Sequence, residues 1–436
     1  MRHCRAEQLG NADCCPKMRI LFVTNFYPPY HRGGMELTCR SVVDGLGHRG
    51  HQTFVLTSRY GVKRPEVWEN IARLLHLEIS IEQNRNLWAF FLLRARQERS
   101  NLVTLRRYIS RLQPDVVFIW GMWNLHRSLA QDAEGLCPSR VLYRFGDYWP
   151  LLPDPFANYW SEESTSPMKR LLKNSLRPVA ERALARHPPV RLDYARAYCI
   201  SHATKRLLVD SGLDIEHARV IHNGVNLHPF INLDQRDNRS TLGATRRVNV
   251  LYIGRLTPTK GIDVAVRAII QLSKSDSEHE WSLTLAGTGD ADYTYQLKEI
   301  IRSSGLDDHF AFLGNLPYGD IPWVMSNQHI LVVPSIWEEP FGRVIVEGMA
   351  AGLVVVASRI GGIPEIIEDG QTGLLFEPGE VSELVQILQT LLANPDTAHC
   401  ITSRARIAAM TEFSLDRMLD DIEDLLAEPA TSEAIS

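Results

Sequence analysis

Long apolar runs are missing from this 436-residue sequence. Nowhere do about 18 apolar residues follow one another, which argues against a membrane-crossing helix. Cysteine is scarce: 7 residues, with Cys4, Cys14 and Cys15 near the start and the others standing alone. No C-x-x-C pair occurs, so neither a zinc ribbon nor a disulfide scaffold is indicated. A reducing, cytoplasmic compartment is the simpler reading. Residues 1–17 lack the apolar stretch of a secretory signal; they are polar, mixed in charge and expected to be disordered. A Walker A loop, G-x-x-x-x-G-K-[ST], is absent as well.

What is present is ordinary globular composition, 44% hydrophobic and 22% charged, on a chain long enough for two domains. The net charge of −4 hides a split. Up to Thr245 there are 34 Lys and Arg against 23 Asp and Glu; from Arg246 onward there are 13 against 28. A basic first half suggests an anionic partner, a membrane surface or a phosphorylated acceptor sooner than nucleic acid. Solvated helix faces are the plain alternative. The stretch RNLWAFFLLRARQER sets Trp88, Phe90, Phe91, Leu92 and Leu93 beside Arg94, Arg96 and Arg99. That mixture suits an anionic membrane surface, and core packing with a basic outer face is its bland counterpart.

Short apolar runs alternate with helical patterns along the chain. RILFVTNFYPP, HQTFVLTS, PDVVFIWG and RVLYRFGDYW read as strands, and MELTCRSVVDGLGHRG as a helix preceded by Gly33-Gly34. Residues 61–112 read as long amphipathic helices. Residues 231–246 are polar and unpatterned, a linker. A second series follows: VNVLYIGRL, a helix over 261–273, WSLTLAGTG, a helix over 293–304, FAFLGNL, HILVVPS, a helix over 343–351, and VVVASRIGG. Such alternation predicts an α/β chain with two doubly wound parallel sheets. The expected boundaries are 1–17 for the extension, 18–230 for the first domain, 231–246 for the linker, 247–413 for the second domain, and 414–436 for an acidic helix and tail. In parallel sheets of this kind, ligands bind beyond the carboxyl ends of the strands.

Three strand ends in the second half carry chemistry. GRLTPTKGID places Arg255 and Lys260 in a glycine-bounded loop that opens a helix, suited to a diphosphate. LAGTGD is a second glycine-rich turn. EEPFGRVIVEG sets Glu339 in a loop and Glu347 inside a helix, eight residues on. At about 1.5 Å per residue the two carboxylates can reach groups up to about 12 Å apart. A ligand with an anionic middle and hydroxyls at both ends fits. Asp290-Ala291-Asp292 spells D-x-D, but a carboxylate pair at a helix start is favoured by capping alone, and no metal site is expected.

GRLTPTKGID, EPFGRVIVEGMAAGLVVVAS and GGIPEIIEDGQTGLLFEPG resemble the retaining glycosyltransferases of family 4, which have the GT-B fold. PPYHRGGMELTCRSVVDGLGHRGH, PDVVFIW and IHNGVN extend the likeness more loosely to the first half. The resemblance implies two facing Rossmann-like domains with a central cleft. It implies a nucleotide-sugar donor held by the second domain and a glycan or lipid-linked acceptor taken by the first. It places Glu339 at the donor sugar, Glu347 at the ribose, and Arg255 and Lys260 at the diphosphate. Phe341, Gly342 and Arg343 line the donor loop, and Gly34 brings backbone N–H groups toward the donor phosphate. Fixed cations and backbone dipoles would stabilise the departing diphosphate with neither metal nor cofactor.

The first half departs from that family at two strand ends. Where many members carry a histidine after the strand matching PDVVFIW, this chain has Trp120, and His126 follows six residues later. Where relatives show His-Asp, RFGDYW has Gly146 and Asp147, so Asp147 is the candidate for orienting a reacting hydroxyl. Two rivals remain: a non-catalytic nucleotide-sugar-binding protein, and a sugar phosphorylase or epimerase on the same fold.

Overall fold

The structure, a computed structural model, describes residues 17–79, 86–162, 167–185, 190–231 and 246–428. The expected extension, apart from Lys17, and most of the expected linker lie outside that set, as does the Trp88 side chain. The chain forms two compact units. One takes the chain up to Arg144, Trp149–Ala197, and everything from Leu419 on; the other takes Phe145–Tyr148 and Tyr198–Met418.

The first unit's strands are β1 (Arg19–Thr24), β2 (Gln52–Ser58), β3 (Glu66–Trp68), β4 (Ile71–Leu75), β5 (Val116–Gly121) and β6 (Val141–Phe145), in the order β3-β4-β2-β1-β5-β6. All neighbours are parallel except β3 with β4. Burial explains their composition. Every residue of β5 and β6, and all of β1 after Arg19, is buried, which demands continuous apolar runs. Around the sheet run α1 (Gly34–His48), α2 (Asn86–Leu92), α3 (Arg94–Leu112), α4 (Ser128–Leu136), α5 (Pro155–Ser161) and α6 (Pro167–Ala185).

The β3–β4 hairpin corrects the helical reading of residues 61–112. IARLLHL has helical spacing, but Ile71 registers with Val55 at the edge of β2, and Ala72 and Leu75 are buried. The sheet edge overrides the local pattern. Among the described residues of that stretch, only those from Asn86 on are helical.

The second unit contains β7 (Ala197–Cys199) from Tyr198 on, α7 (His202–Asp210), β8 (Arg219–Val220) and α8 (His228–Ile231). Its main sheet uses β9 (Arg247–Ile253), β10 (Glu280–Ala286), β11 (Phe310–Gly314), β12 (Ile330–Val333), β13 (Val354–Ser358) and β14 (Leu374–Phe376). All are parallel, in the order β11-β10-β9-β12-β13-β14. The helices are α9 (Ile262–Ser275), α10 (Ala291–Ser304), α11 (Ile321–Ser326), α12 (Arg343–Ala351), α13 (Val381–Ala393) and α14 (Pro395–Glu412); α15 (Leu415–Ala427) begins in this unit and belongs to the first from Leu419 on. A core of buried Val, Ile and Leu from β9, β10 and β12 and from α9 and α13 holds the layers together.

The order fixes where a ligand can sit. From β9 the chain winds outward through β10 and β11, then returns to β12 on the other side of β9. The loops after β9 and β12 therefore diverge to opposite faces and leave a crevice. The first unit repeats this between β1 and β5. Among the described residues, no helix is long and apolar enough to cross a membrane.

Candidate functional site

The crevice between β9 and β12 gathers most of the residues singled out above. Ile336 N–H donates to the Thr259 carbonyl (3.0 Å), tying the two loops together. Lys260, at the end of its loop, forms an ion pair with Glu339 Oε2. The same oxygen accepts from Trp337 Nε1 at 3.0 Å and Ser335 Oγ at 3.2 Å. The Lys260 ammonium also lies 5.4 Å from the Trp337 ring centroid. Arg255, two residues past the end of β9, is exposed. It makes no side-chain hydrogen bond or ion pair among the described residues, while its carbonyl accepts from Tyr252 OH at 2.8 Å.

The loop Glu338–Gly342 is clamped by its neighbours. Tyr148 OH donates to the Glu338 carbonyl (3.1 Å) and Ser201 Oγ to the Pro340 carbonyl (2.7 Å). Gly362 N–H donates to the Glu339 carbonyl (2.7 Å). Gly361 has φ +59°, and a Cβ there would stand 2.3 Å from the Glu339 carbonyl oxygen. Only glycine allows this approach. Glu365 secures the next layer. It accepts from the His202 and Ala203 N–H groups at the start of α7 (both 2.7 Å) and from His222 Nε2 (2.9 Å). Burial alone would raise its carboxyl; those hydrogen bonds hold it below its ordinary value.

Glu347 lies inside α12, as the pattern predicted, and is buried. Its Oε1 accepts from Arg343 Nε (2.8 Å) and Tyr318 OH (2.9 Å). Burial pushes its carboxyl up against the opposing pull of both partners. The Arg343 guanidinium is engaged by Glu347 and Tyr318. The Phe341 side chain is buried, packing on His222 and Phe413 (centroids 6.1 and 5.9 Å away), so its backbone is what this loop can offer a ligand. Gly342, at φ +107°, caps α12.

Asp147 is half-buried in the same unit, beside Tyr148. Tyr148 stacks edge-on against Trp337 (6.1 Å), and burial raises its hydroxyl to about 12. Gly34 opens α1 in the first unit, after Gly33, whose N–H donates to Glu36 Oε2 at 3.0 Å. Trp120 is core, its ring 4.4 Å from the Arg144 guanidinium carbon and its Nε1 donating to the Met35 carbonyl. His126 Nδ1 meets Ser128 Oγ at 2.7 Å and Glu98 Oε1 at 3.1 Å. Asp290 caps α10, accepting from Tyr293 N–H at 2.8 Å, which is the capping role weighed for D-x-D. Sequence reasoning did not single out Ser335, Trp337, Tyr148 or Tyr318. Trp337, one residue before the Glu-Glu pair, was the legible signal; the two tyrosines reach the site from distant segments.

The crevice therefore presents one exposed cation, a cation paired with a carboxylate, and a second carboxylate buried in a helix. Such a set can hold a polyanion flanked by hydroxyls. The family described as glycosyl transferases group 1 matches residues 234–408, and glycosyltransferase family 4 matches residues 32–228. An uncharacterized glycosyltransferase of Methanocaldococcus jannaschii is 24% identical over 92% of this chain and 96% of its own. The sucrose-phosphate synthase of Thermosynechococcus elongatus superposes with a TM-score of 0.69 at 20% identity, over 94% of this chain and 98% of the other. The Anabaena protein HepE, solved with UDP-glucose, superposes with a TM-score of 0.64 at 22% identity, over 94% of this chain and 99% of the other. These likenesses show the GT-B fold, two Rossmann-like parallel-sheet units.

Proposed function

Because the chain belongs to the group 1 glycosyltransferases, we propose that it moves a sugar from a nucleotide diphosphate to a glycan or lipid-linked acceptor, with retention of configuration. The observation that carries this reading is the ion pair of Lys260 with Glu339 at the β9–β12 switch point, with exposed Arg255 in the same loop as Lys260. Arg255 and Lys260 take the diphosphate, Glu339 the donor sugar and Glu347 the ribose, with Phe341, Gly342 and Arg343 shaping the loop. Gly34 serves the donor phosphate from the first unit. The bond from the sugar's anomeric carbon to phosphate oxygen breaks, and the acceptor oxygen bonds to that carbon on the same face. The acceptor's proton passes to the leaving phosphate, while Asp147 orients the reacting hydroxyl. Fixed cations compensate the charge that develops on the diphosphate, so neither metal nor cofactor is required.

The acceptor reading is supported by a second feature. Leu92 on α2 and Met168 and Leu171 on α6 are 71%, 80% and 72% exposed. Exposed Arg170, Arg177 and Arg182 share α6, and exposed Arg96 and Arg99 lie on α3, which follows α2 directly. Apolar side chains interspersed with arginine suit the cytoplasmic face of an anionic membrane, in work on cell-surface polysaccharide or glycolipid.

Thermal unfolding with UDP-, GDP-, ADP- and dTDP-sugars, each with EDTA, tests the donor site. HepE's complex makes UDP-glucose the first of the panel. A donor at 100 times its Kd stabilises the folded state by about 2.7 kcal/mol. We expect one sugar nucleotide to raise the midpoint with EDTA present, and Arg255→Ala to abolish the rise. A rise that EDTA removes overturns metal independence; one that Arg255→Ala leaves intact overturns this placement of the diphosphate.

A further inference from the structure

Away from that crevice, the first unit encloses a cavity of about 530 Å³. Its walls come from the carboxyl ends of three strands: Glu78 after β4, Trp123 to Arg127 after β5, and Trp149 to Asp154 after β6. None of the reading above uses it, beyond having weighed His126.

Most polar groups in this wall are already committed. The Asn124 side chain bridges Ile79, accepting from its N–H and donating to its carbonyl, both at 2.8 Å. Asp154 accepts from Phe156 and Ala157 N–H groups with Oδ1 and from Arg94 at 2.6 Å with Oδ2. Arg127 donates to the Trp149 and Leu152 carbonyls. Glu78 is the exception. Its side chain is 7% exposed and its buried Oε1 has no hydrogen-bond partner; the nearest cation, Arg94, stands 3.8 Å away and is engaged by Asp154. A buried polar atom left unpaired is costly, and a ligand in the cavity would relieve that cost.

The surroundings define the ligand's character. Arg94 and Arg127 are balanced by Asp154 and Glu162, so no surplus cation favours a phosphate. Trp123, Trp149 and Tyr159 supply aromatic surface. Burial, then the Asp154 carboxylate, raise the Glu78 carboxyl to about 8, with Glu98 adding and Arg94 and Arg127 opposing. A neutral carboxyl both donates and accepts, as a vicinal diol requires.

We propose that this cavity is a saccharide subsite, in which Glu78 bonds the hydroxyls of a neutral sugar ring held against the tryptophans, and that the ring belongs to the acceptor. The assignment to the acceptor rests on the transferase reading; the binding of a sugar ring does not.

The test uses the full chain and saturation-transfer NMR with methyl α-glucopyranoside, methyl α-galactopyranoside and methyl α-mannopyranoside, with inorganic phosphate as comparator. At pH 6.5 one glycoside should bind with a millimolar Kd. Glu78→Ala should weaken it at least tenfold, and Glu78→Gln should retain it. Raising the pH to 9 should abolish binding in the wild type but not in Glu78→Gln, which cannot ionise. The sugar-nucleotide shift in thermal unfolding should be the same in all three proteins, which shows that they are folded. Binding of phosphate alone, equal glycoside binding by Glu78→Ala, or no glycoside binding by the wild type overturns the proposal. Glycoside binding without any sugar-nucleotide shift would leave the subsite standing and sink the transferase reading instead.

Discussion

Arg343 and Glu347 form a buried pair one helical turn apart, and the tyrosine at 318 closes it. Removing one partner of such a pair leaves an uncompensated charge, at about 3–5 kcal/mol. Arg343→Ala should therefore lower the denaturant midpoint sharply, and Arg343→Ala with Glu347→Leu should recover much of that loss. Equal midpoints for the single and double variants would mean that the pair is not what holds α12. Glu78 leads to a pH effect of opposite origin. Its carboxyl is raised to about 8 by burial, so the folded protein binds a proton that the unfolded chain releases near its ordinary value of 4.5. The contribution is fully present below about pH 4.5 and is lost as pH rises through 8, by up to about 1.4 kcal/mol per pH unit. Glu78→Gln should flatten this decline and gain on the wild type between about pH 5 and pH 8, with no further gain above that, read by urea unfolding at several pH values.

At the scale of elements, periodicity carried far. The helix over 343–351 has the bounds read from its pattern, and GRLTPTKGID and EEPFGRVIVEG sit at strand ends as spacing implied. Residues 66–75 were misread because a helical spacing of Ile71, Leu74 and Leu75 says nothing of the β2 edge they meet. The clamp on Glu338–Gly342 was illegible for a related reason. Ser201, Tyr148 and Gly361 are far away in sequence, and no local pattern marks a hydroxyl as the partner of a distant carbonyl. Glu339 was found by its motif, but its pairing with Lys260 became visible only once β9 and β12 were side by side. The clamp can be tested directly. Gly361→Ala would force a Cβ to 2.3 Å from a carbonyl oxygen, whereas Gly305, also at positive φ, faces open space. Gly305→Ala should cost about 1–2 kcal/mol of backbone strain. Gly361→Ala should cost more and weaken sugar-nucleotide binding; equal losses in stability would show that the loop yields easily.

For the molecule as a whole, the uneven charge is the leading feature: 34 basic against 23 acidic residues up to Thr245, and the reverse beyond. If α2 and α6 meet an anionic bilayer, flotation with vesicles containing phosphatidylglycerol should carry the protein upward. Leu92→Glu with Leu171→Glu should release it, and raising the salt should weaken it, since screening shortens to about 3 Å at 1 M. Flotation that is indifferent to lipid charge would count against arginine as the attractor.

The last helix has a consequence for how the protein is made. Glu423 accepts from Arg49 (2.5 Å) and His51 (2.9 Å), and the Leu425 carbonyl accepts from Arg196 (2.7 Å). Leu419 packs where a side chain on Gly45 would be, so α1 is finished by the far end of the chain. On the ribosome, the first unit's sheet is synthesised long before these partners exist. Its α1 edge must wait, open and apolar, through the making of more than 200 further residues. Nascent-chain lengths that stop short of Leu419 should bind chaperones more than the released protein does.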